Sequence, residues 1–307
     1  MAIQVKNLIK KFQLEVVSGD KESERSITVS DLNRPGIELA GFFRCFSPER
    51  VQILGNTELD FLATLPIKLQ EQHCHQLCSY PIPCLIITRG REINSFLLQE
   101  AASQGIPVLR TTYSTTKFIS ILTNYLEEQF APTILLHGVL VEVYGVGVLI
   151  TGESGIGKSE TALELVKRGH RLVADDAVEV KRLGREYLLG QALAISRHLI
   201  EIRGLGILDV STLFGAGAVR ITKRISLVIL LEEWQEGKFY DRLGLDEEYQ
   251  SIMDVSLPQI TVPVKPGRSL ATIIEVAAMN YRLKMMGHHA AWEFAERLKE
   301  HNLQRDD

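Results

Sequence analysis

The chain has no apolar run near the ~20 residues needed to cross a bilayer. Its longest candidate, 134–150, is interrupted by His137 and Glu142. No secretory leader is expected either, because residues 1–6 alternate polar and apolar side chains. Long Lys/Arg runs are missing and the formal net charge is −4, which argues against a nucleic-acid surface. The short basic cluster of Lys181, Arg182 and Arg185 reads as a solvated turn. Cysteine is scarce and confined to the first third, at Cys45, Cys74, Cys78 and Cys84. His73, Cys74, His75 and Cys78 cluster soft and imidazole ligands, but no second ligand pair follows at zinc spacing. Reduced cysteines are therefore expected in place of a metal. There is no Asn-Lys-x-Asp guanine-reading motif and no His-Arg-Asp catalytic loop. These absences lead us to expect a soluble, cytoplasmic protein with neither a nucleic-acid nor a membrane partner.

What is present suits two globular α/β domains: 307 residues, 45% hydrophobic and 23% charged. Residues 1–130 alternate strand signals (51–54, 84–88, 107–111) with a helical stripe at Phe118, Ile119, Leu122, Tyr125 and Leu126. Open parallel pairing is expected there, but no chemical motif reveals a role. Ala131-Pro132 punctuates the change to a second domain, 131–307. That domain is expected to be strand-rich, at 133–136, 139–150, 171–174, 186–189, 199–203, 219–222 and 225–231. A charged loop is expected over 232–250. A helix follows with Leu270, Ile273, Ile274, Ala277, Ala278, Tyr281 and Met285 on one face, and Gly287 breaks it before a last helix.

The chemistry begins at residues 152–159. Gly152, Glu153, Ser154, Gly155, Ile156, Gly157, Lys158 and Ser159 fit G-x-x-x-x-G-K-[ST] at every fixed position. Glycines let successive N–H groups turn inward around phosphate oxygens. Lys158 supplies a charge near the β- and γ-phosphates of a nucleotide triphosphate, and the Ser159 hydroxyl is a natural Mg²⁺ ligand. The stretch 143–150 reads as an apolar strand before the loop. Ser159 to Arg168 reads as a helix after it, with Gly169 ending it. A helix N-terminus adds partial positive charge where phosphate would sit.

Sixteen positions after Ser159, an apolar strand ends in Asp175 and Asp176, which puts carboxylates beside the loop. One could complete a metal shell while the other accepts a proton from an attacking hydroxyl. The block Ile200, Glu201, Ile202, Arg203, Gly204, Leu205, Gly206, Ile207, Leu208 and Asp209 opens with strand alternation. This sends Glu201 and Arg203 to one face, as a cross-strand pair or as a metal ligand and a phosphate contact. His137 lies between two strands and could be a simple turn. Arg242 lies on a loop from which an arginine can reach a transferring phosphoryl group. Pro263, Val264, Lys265, Pro266, Gly267 and Arg268 carry two cations on a stiff turn suited to an anion.

Taken in order over about 130–290, the loop with its helix, Leu-Val-Ala-Asp-Asp-Ala-Val-Glu and Glu-Ile-Arg-Gly-Leu-Gly-Ile-Leu-Asp-Val resemble HPr kinase/phosphorylase. The resemblance implies a C-terminal P-loop kinase domain related in fold to phosphoenolpyruvate carboxykinase, assembled as a homohexamer. It implies ATP-dependent phosphorylation of a serine on the phosphocarrier protein HPr and phosphate-dependent removal that yields pyrophosphate, in carbon catabolite regulation. By likeness His137, Lys158, an Asp of the 175–176 pair and Arg242 would be catalytic. Ser159 and Glu201 would hold Mg²⁺, the 200–209 signature would serve both reactions, and 263–268 would serve dephosphorylation. The base stays open between Asp175 and Asp176, with Asp176 preferred. A small-molecule kinase with the same loop, or an ATP-driven sensor, are the alternatives.

Overall fold

The computed structural model describes residues 2–238 and 247–303, with side chains described through residue 298. Two compact units are present, residues 1–130 and 131–307. Both mix helices and strands, so the α/β expectation holds.

In the first unit five strands pair in the order Glu15–Ser18, Val108–Arg110, Leu85–Ile87, Val51–Leu54, Leu32–Asn33. The four from Val108–Arg110 onward run parallel, as expected, and Glu15–Ser18 adds an antiparallel edge. Alternation along each strand feeds two cores. Val51, Ile53, Cys84, Ile86 and Leu109 face one side with Phe118, Leu122 and Leu126 of the helix Thr115–Phe130. Leu54, Leu85, Ile87 and Val108 face the other. The His73–Cys78 cluster lies on the helix Ile67–Cys78, the element before the strand Leu85–Ile87. There His73 Nδ1 lies 2.7 Å from the Leu39 carbonyl, and burial pushes the thiols of Cys74 and Cys78 up to about 12. These groups are packing elements.

The second unit is built on a six-stranded sheet in the order Arg171–Ala174, Val139–Val143, Val146–Gly152, Leu227–Glu233, Val255–Val264, Glu248–Ile252. The expected strand over 139–150 is in fact a hairpin. Tyr144 and Gly145 both adopt positive φ (47° and 84°), the geometry of a tight two-residue turn. Apolar residues on both sides of it concealed that turn. Strand direction then decides where chemistry can occur. Val139–Val143 is antiparallel to both of its neighbours, so Arg171–Ala174 runs the same way as Val146–Gly152. Leu227–Glu233 and Val255–Val264 also run parallel to Val146–Gly152. The segments after residues 152, 174, 233 and 264, and the one before 139, therefore gather at one sheet end.

One face of this sheet carries the helices Lys158–Lys167 and Leu270–Met285, packed on Val139, Val141, Val148, Ile150 and Ile229. The opposite residues, Leu140, Leu149, Val173 and Val228, pack on a four-stranded sheet formed by Thr222–Arg224, Tyr187–Ala192, Ala177–Leu183 and Thr133–His137. Each fully buried Leu or Val here contributes about 1.5–3 kcal/mol.

Other expectations need correction. Lys181 and Arg182 lie within a strand, and the turn comes at Gly184. Val219 makes only an isolated bridge to Leu172, and the strand is Thr222–Arg224. The supposed loop from 232 is strand through Glu233 and again from Glu248. Met285 is 71% exposed, off the buried face that Ile274, Ala277 and Ala278 form. Val255–Val264 escaped notice because it contains Pro258 and Pro263. Each proline sits where the strand has a neighbour on one side only, so no ladder bond is lost. No helix among the described residues is long and apolar enough to cross a membrane.

At the other sheet end one buried carboxylate, Glu142, accepts from Lys223 Nζ at 2.6 Å and Arg220 Nη1 at 2.7 Å, with Arg171 Nη1 at 3.6 Å. It ties together three segments that share no local sequence signal. Glu142→Gln is expected to destabilise the protein by about 2 kcal/mol, less than a fully buried pair because Arg171 and Arg220 reach water. Urea denaturation with an unchanged m-value and a lowered midpoint would show it.

Candidate functional site

The phosphate loop turns through three glycines at positive φ: Gly152 (139°), Gly155 (85°) and Gly157 (99°). A Cβ on Gly152 would lie 2.5 Å from the Leu231 carbonyl oxygen, so the loop can leave the sheet only through glycine. Ile156 anchors the loop in the core below it. The helix then runs Lys158–Lys167 with Ala162, Leu165 and Val166 buried, and the Thr161 hydroxyl donates back to the Gly157 carbonyl at 2.7 Å. Its C-cap is Arg168, and Gly169 follows at φ 96°, the left-handed glycine expected to end the helix.

Lys158 is 6% exposed, and its Nζ donates to the carbonyls of Gly152 (3.0 Å) and Glu153 (2.8 Å). Burial lowers its pKa from the ordinary lysine value, against the opposing charges of Asp176 and Asp175. Asp175 is 5% exposed. Its Oδ1 accepts from Ser159 Oγ at 2.8 Å and its Oδ2 from the Glu201 N–H at 2.9 Å. Burial raises the Asp175 pKa, the bonds from Glu201 and Ser159 lower it, and raising prevails. An ammonium pulled down and a carboxyl pulled up describe a site shielded from water, where fixed charges interact strongly.

Asp176 has a different environment. It holds a left-handed backbone (φ 64°) that non-glycine residues seldom adopt, and its side chain is 71% exposed. The N–H of Gly138 donates to its carbonyl at 3.1 Å. His137 Nδ1 lies 3.1 Å from that same oxygen and 3.2 Å from Asp176 Oδ1. The sequence left His137 as a turn or a participant, and the register Ala177↔His137 is what brings it beside Asp176. Gly138 is required at this corner because a Cβ would meet the Ile150 carbonyl at 2.8 Å.

The 200–209 block folds as the hairpin Leu199–Ile202 and Gly206–Asp209. Ile200 and Ile202 are buried while Glu201 and Arg203 are exposed, as the alternation implied. The Arg203 guanidinium overlies the phosphate loop, with Nη2 3.5 Å from Ser154 Oγ. Leu205 and Ile207 are bare at the tip, 69% and 71% exposed. Asp209 caps the next helix, and its bonds from Ser211 and Thr212 push its carboxyl down to about 2. On the far side, Pro263 and Val264 end their strand, Lys265 Nζ lies 3.3 Å from the centre of the Trp234 ring, and Arg268 turns back to the Pro263 carbonyl. Nothing in the sequence marked Trp234, because only the parallel register sets it against this segment. Arg242 lies outside the described residues.

The structure thus gathers His137, Lys158, Ser159, Asp175, Asp176, Glu201 and Arg203 around one loop. Hydroxyl and carboxylate oxygens are hard donors, suited to a small divalent cation. Among the described residues no three His, Cys, Asp or Glu side chains form a ready metal cluster. A cation here would take further ligands from phosphate oxygens and water.

A Cβ on Gly155 would fall 2.8 Å from Arg203 Nη1, at a φ unfavourable for any other residue. Gly155→Ala is expected to weaken nucleotide binding about tenfold by distorting the loop and displacing Arg203. Titration calorimetry checks this, with the fold confirmed by an unchanged far-UV spectrum.

Comparison with known proteins identifies the family. The family described as HPr Serine kinase C-terminal domain matches residues 128–298, and HPr Serine kinase N terminus matches residues 3–126. Two curated relatives are each named HPr kinase/phosphorylase, from Bacillus mycoides (strain KBAB4) and Bacillus cereus (strain G9842). Each is 57% identical over 296 residues, which is 96% of this chain and 96% of its own. The solved structure of the Hpr(Ser) kinase/phosphatase from Coxiella burnetii is 36% identical and covers 52% of this chain and 98% of its own, with a TM-score of 0.48. With both family domains matched in order along nearly its whole length, this chain belongs to the HPr kinase/phosphorylase family.

Proposed function

We propose that the chain transfers the γ-phosphoryl group of ATP to a serine of HPr and, with inorganic phosphate, removes it again as pyrophosphate. The observation that carries the reading is the division of labour between adjacent carboxylates at the phosphate loop. Asp175 is locked onto the loop serine, while Asp176 faces outward beside His137. A serine hydroxyl joining a buried acid is how phosphate-loop enzymes hold Mg²⁺. Ser159 and Asp175 would hold that ion, with Glu201 next to them. When bound, the ion offsets charge on the β- and γ-phosphates.

Asp176 is then the base. It accepts the proton of the HPr serine as that oxygen attacks the γ-phosphorus of ATP, and ADP leaves. Lys158, Arg203 and Arg242 supply positive charge to the transferring oxygens. In reverse, an oxygen of inorganic phosphate attacks the phosphorus of phosphoserine and the P–O(serine) bond breaks. Asp176 returns its proton to the departing serine oxygen, as microscopic reversibility requires. His137, within hydrogen-bond reach of Asp176, orients that carboxylate in both directions. The cations of 263–268 serve the incoming phosphate. Bare Leu205 and Ile207 beside Arg203 favour a protein substrate over a metabolite, since a small molecule has no need of an exposed apolar tip. The homohexamer is part of the proposal; exposed Trp292 and Phe294 are compatible with assembly.

Incubation with ATP, Mg²⁺ and HPr is expected to yield phosphoserine on HPr, and added phosphate to release it with pyrophosphate. ATP turnover on a metabolite with HPr untouched would favour a small-molecule kinase instead. Lys158→Ala should lower kinase kcat about 10²–10³-fold, and near-normal turnover would refute its role. Asp176→Asn should lower kcat about 10²-fold or more in both directions, while leaving the Kd for ATP within about twofold.

A further inference from the structure

The helix that carries Lys158 and Ser159 ends at Arg168, and the helix that follows segment 263–268 begins at its N-cap Ser269. One guanidinium joins these two ends. Arg168 Nη1 donates to Thr272 Oγ1 at 2.9 Å and to Glu275 Oε2 at 2.7 Å. Its Nη2 donates to Glu164 Oε1 at 2.5 Å and to Ser269 Oγ at 3.3 Å. The other Glu275 oxygen lies 2.9 Å from His170 Nε2, and His170 is 6% exposed. Arg168 therefore grips its own helix through Glu164 and the first turn of the second helix through Ser269, Thr272 and Glu275.

An isolated surface ion pair would fix little, since such pairs contribute about 0–1 kcal/mol. This one is a fork shared among four acceptors, with a largely buried carboxylate held from its far side by a buried imidazole. Planar, many-toothed guanidinium contacts of this kind set geometry as well as energy.

The segment between is short. Val264 is held in register with Glu233 at the sheet, and Ser269 is held by Arg168. Both ends of 265–268 are thus fixed, one to the sheet and one to the rigid helix that begins at the phosphate loop. Within it Lys265 rests on Trp234 and Arg268 on the Pro263 carbonyl.

We propose that Arg168 is a positioning residue for the phosphate-driven direction of the reaction: its clamp sets the distance between the cations of 263–268 and the phosphate loop. The proposal rests on the function assigned above. ATP brings its own anchorage, because three linked phosphates and an adenosine hold it to the loop. Inorganic phosphate has only its charge and depends on cations held at the right distance. Loosening the clamp therefore weakens phosphate use more than ATP use.

The test is steady-state kinetics of the full chain in both directions with Arg168→Ala and Arg168→Lys. The expected result for Arg168→Ala is a KM for inorganic phosphate raised about tenfold with the KM for ATP changed less than about twofold. Lysine keeps the charge but not the fork, and should resemble alanine more than arginine. A merely structural role would lower kcat equally in both directions with both KM values unchanged, and that outcome overturns the proposal, as would kinetics like the unsubstituted protein's. Amide hydrogen exchange of the protein without substrates gives a reading independent of function. Residues 265–269 should exchange about tenfold faster in Arg168→Ala while 154–159 stay unchanged. Unchanged exchange at 265–269 overturns the clamp itself. Failure of the unsubstituted protein to release pyrophosphate from phosphoserine-HPr, with exchange as expected, would fault the assigned function and leave the clamp standing.

Discussion

The two bonds accepted by the Asp175 carboxylate organise this site. One comes from the loop serine and the other from the backbone of the signature hairpin, so a single buried group ties together the phosphate loop, the acidic strand end and the 200–209 segment. Burial disfavours the charged form of a carboxyl so enclosed. The divalent ion proposed for this site would relieve that penalty, linking its affinity to the order of the site through one group.

The neighbouring Asp176 has nearly opposite properties, although only one bond separates the two residues in sequence. The left-handed backbone at Asp176 turns its side chain out of the pocket that encloses Asp175. Strain of this kind persists where surrounding bonds over-determine it, here the Gly138 N–H and the 177–137 register. Two identical side chains thereby acquire different environments, as the separate tasks proposed for them require.

Local motifs were legible in the sequence. The phosphate loop and its helix could be read because glycine, lysine and serine act within eight contiguous residues. The alternation of Ile200, Glu201, Ile202 and Arg203 was likewise a property of one strand. Where the reading failed, the cause lay between segments. The Tyr144–Gly145 turn hid between two largely apolar strands because both strands of that hairpin are buried. The strand Val255–Val264 hid behind two prolines whose one-sided neighbours no local rule could supply.

The sequence by itself determined the anion-binding chemistry and the α/β character, because loop conformation and side-chain alternation follow from short-range sterics and periodicity. Only the tertiary structure decided which acid meets Ser159, which meets His137, and that Arg168 reaches Glu275, more than a hundred residues away. Those choices depend on strand direction and register, set by the packing of whole sheets, and no short stretch of chain carries that information.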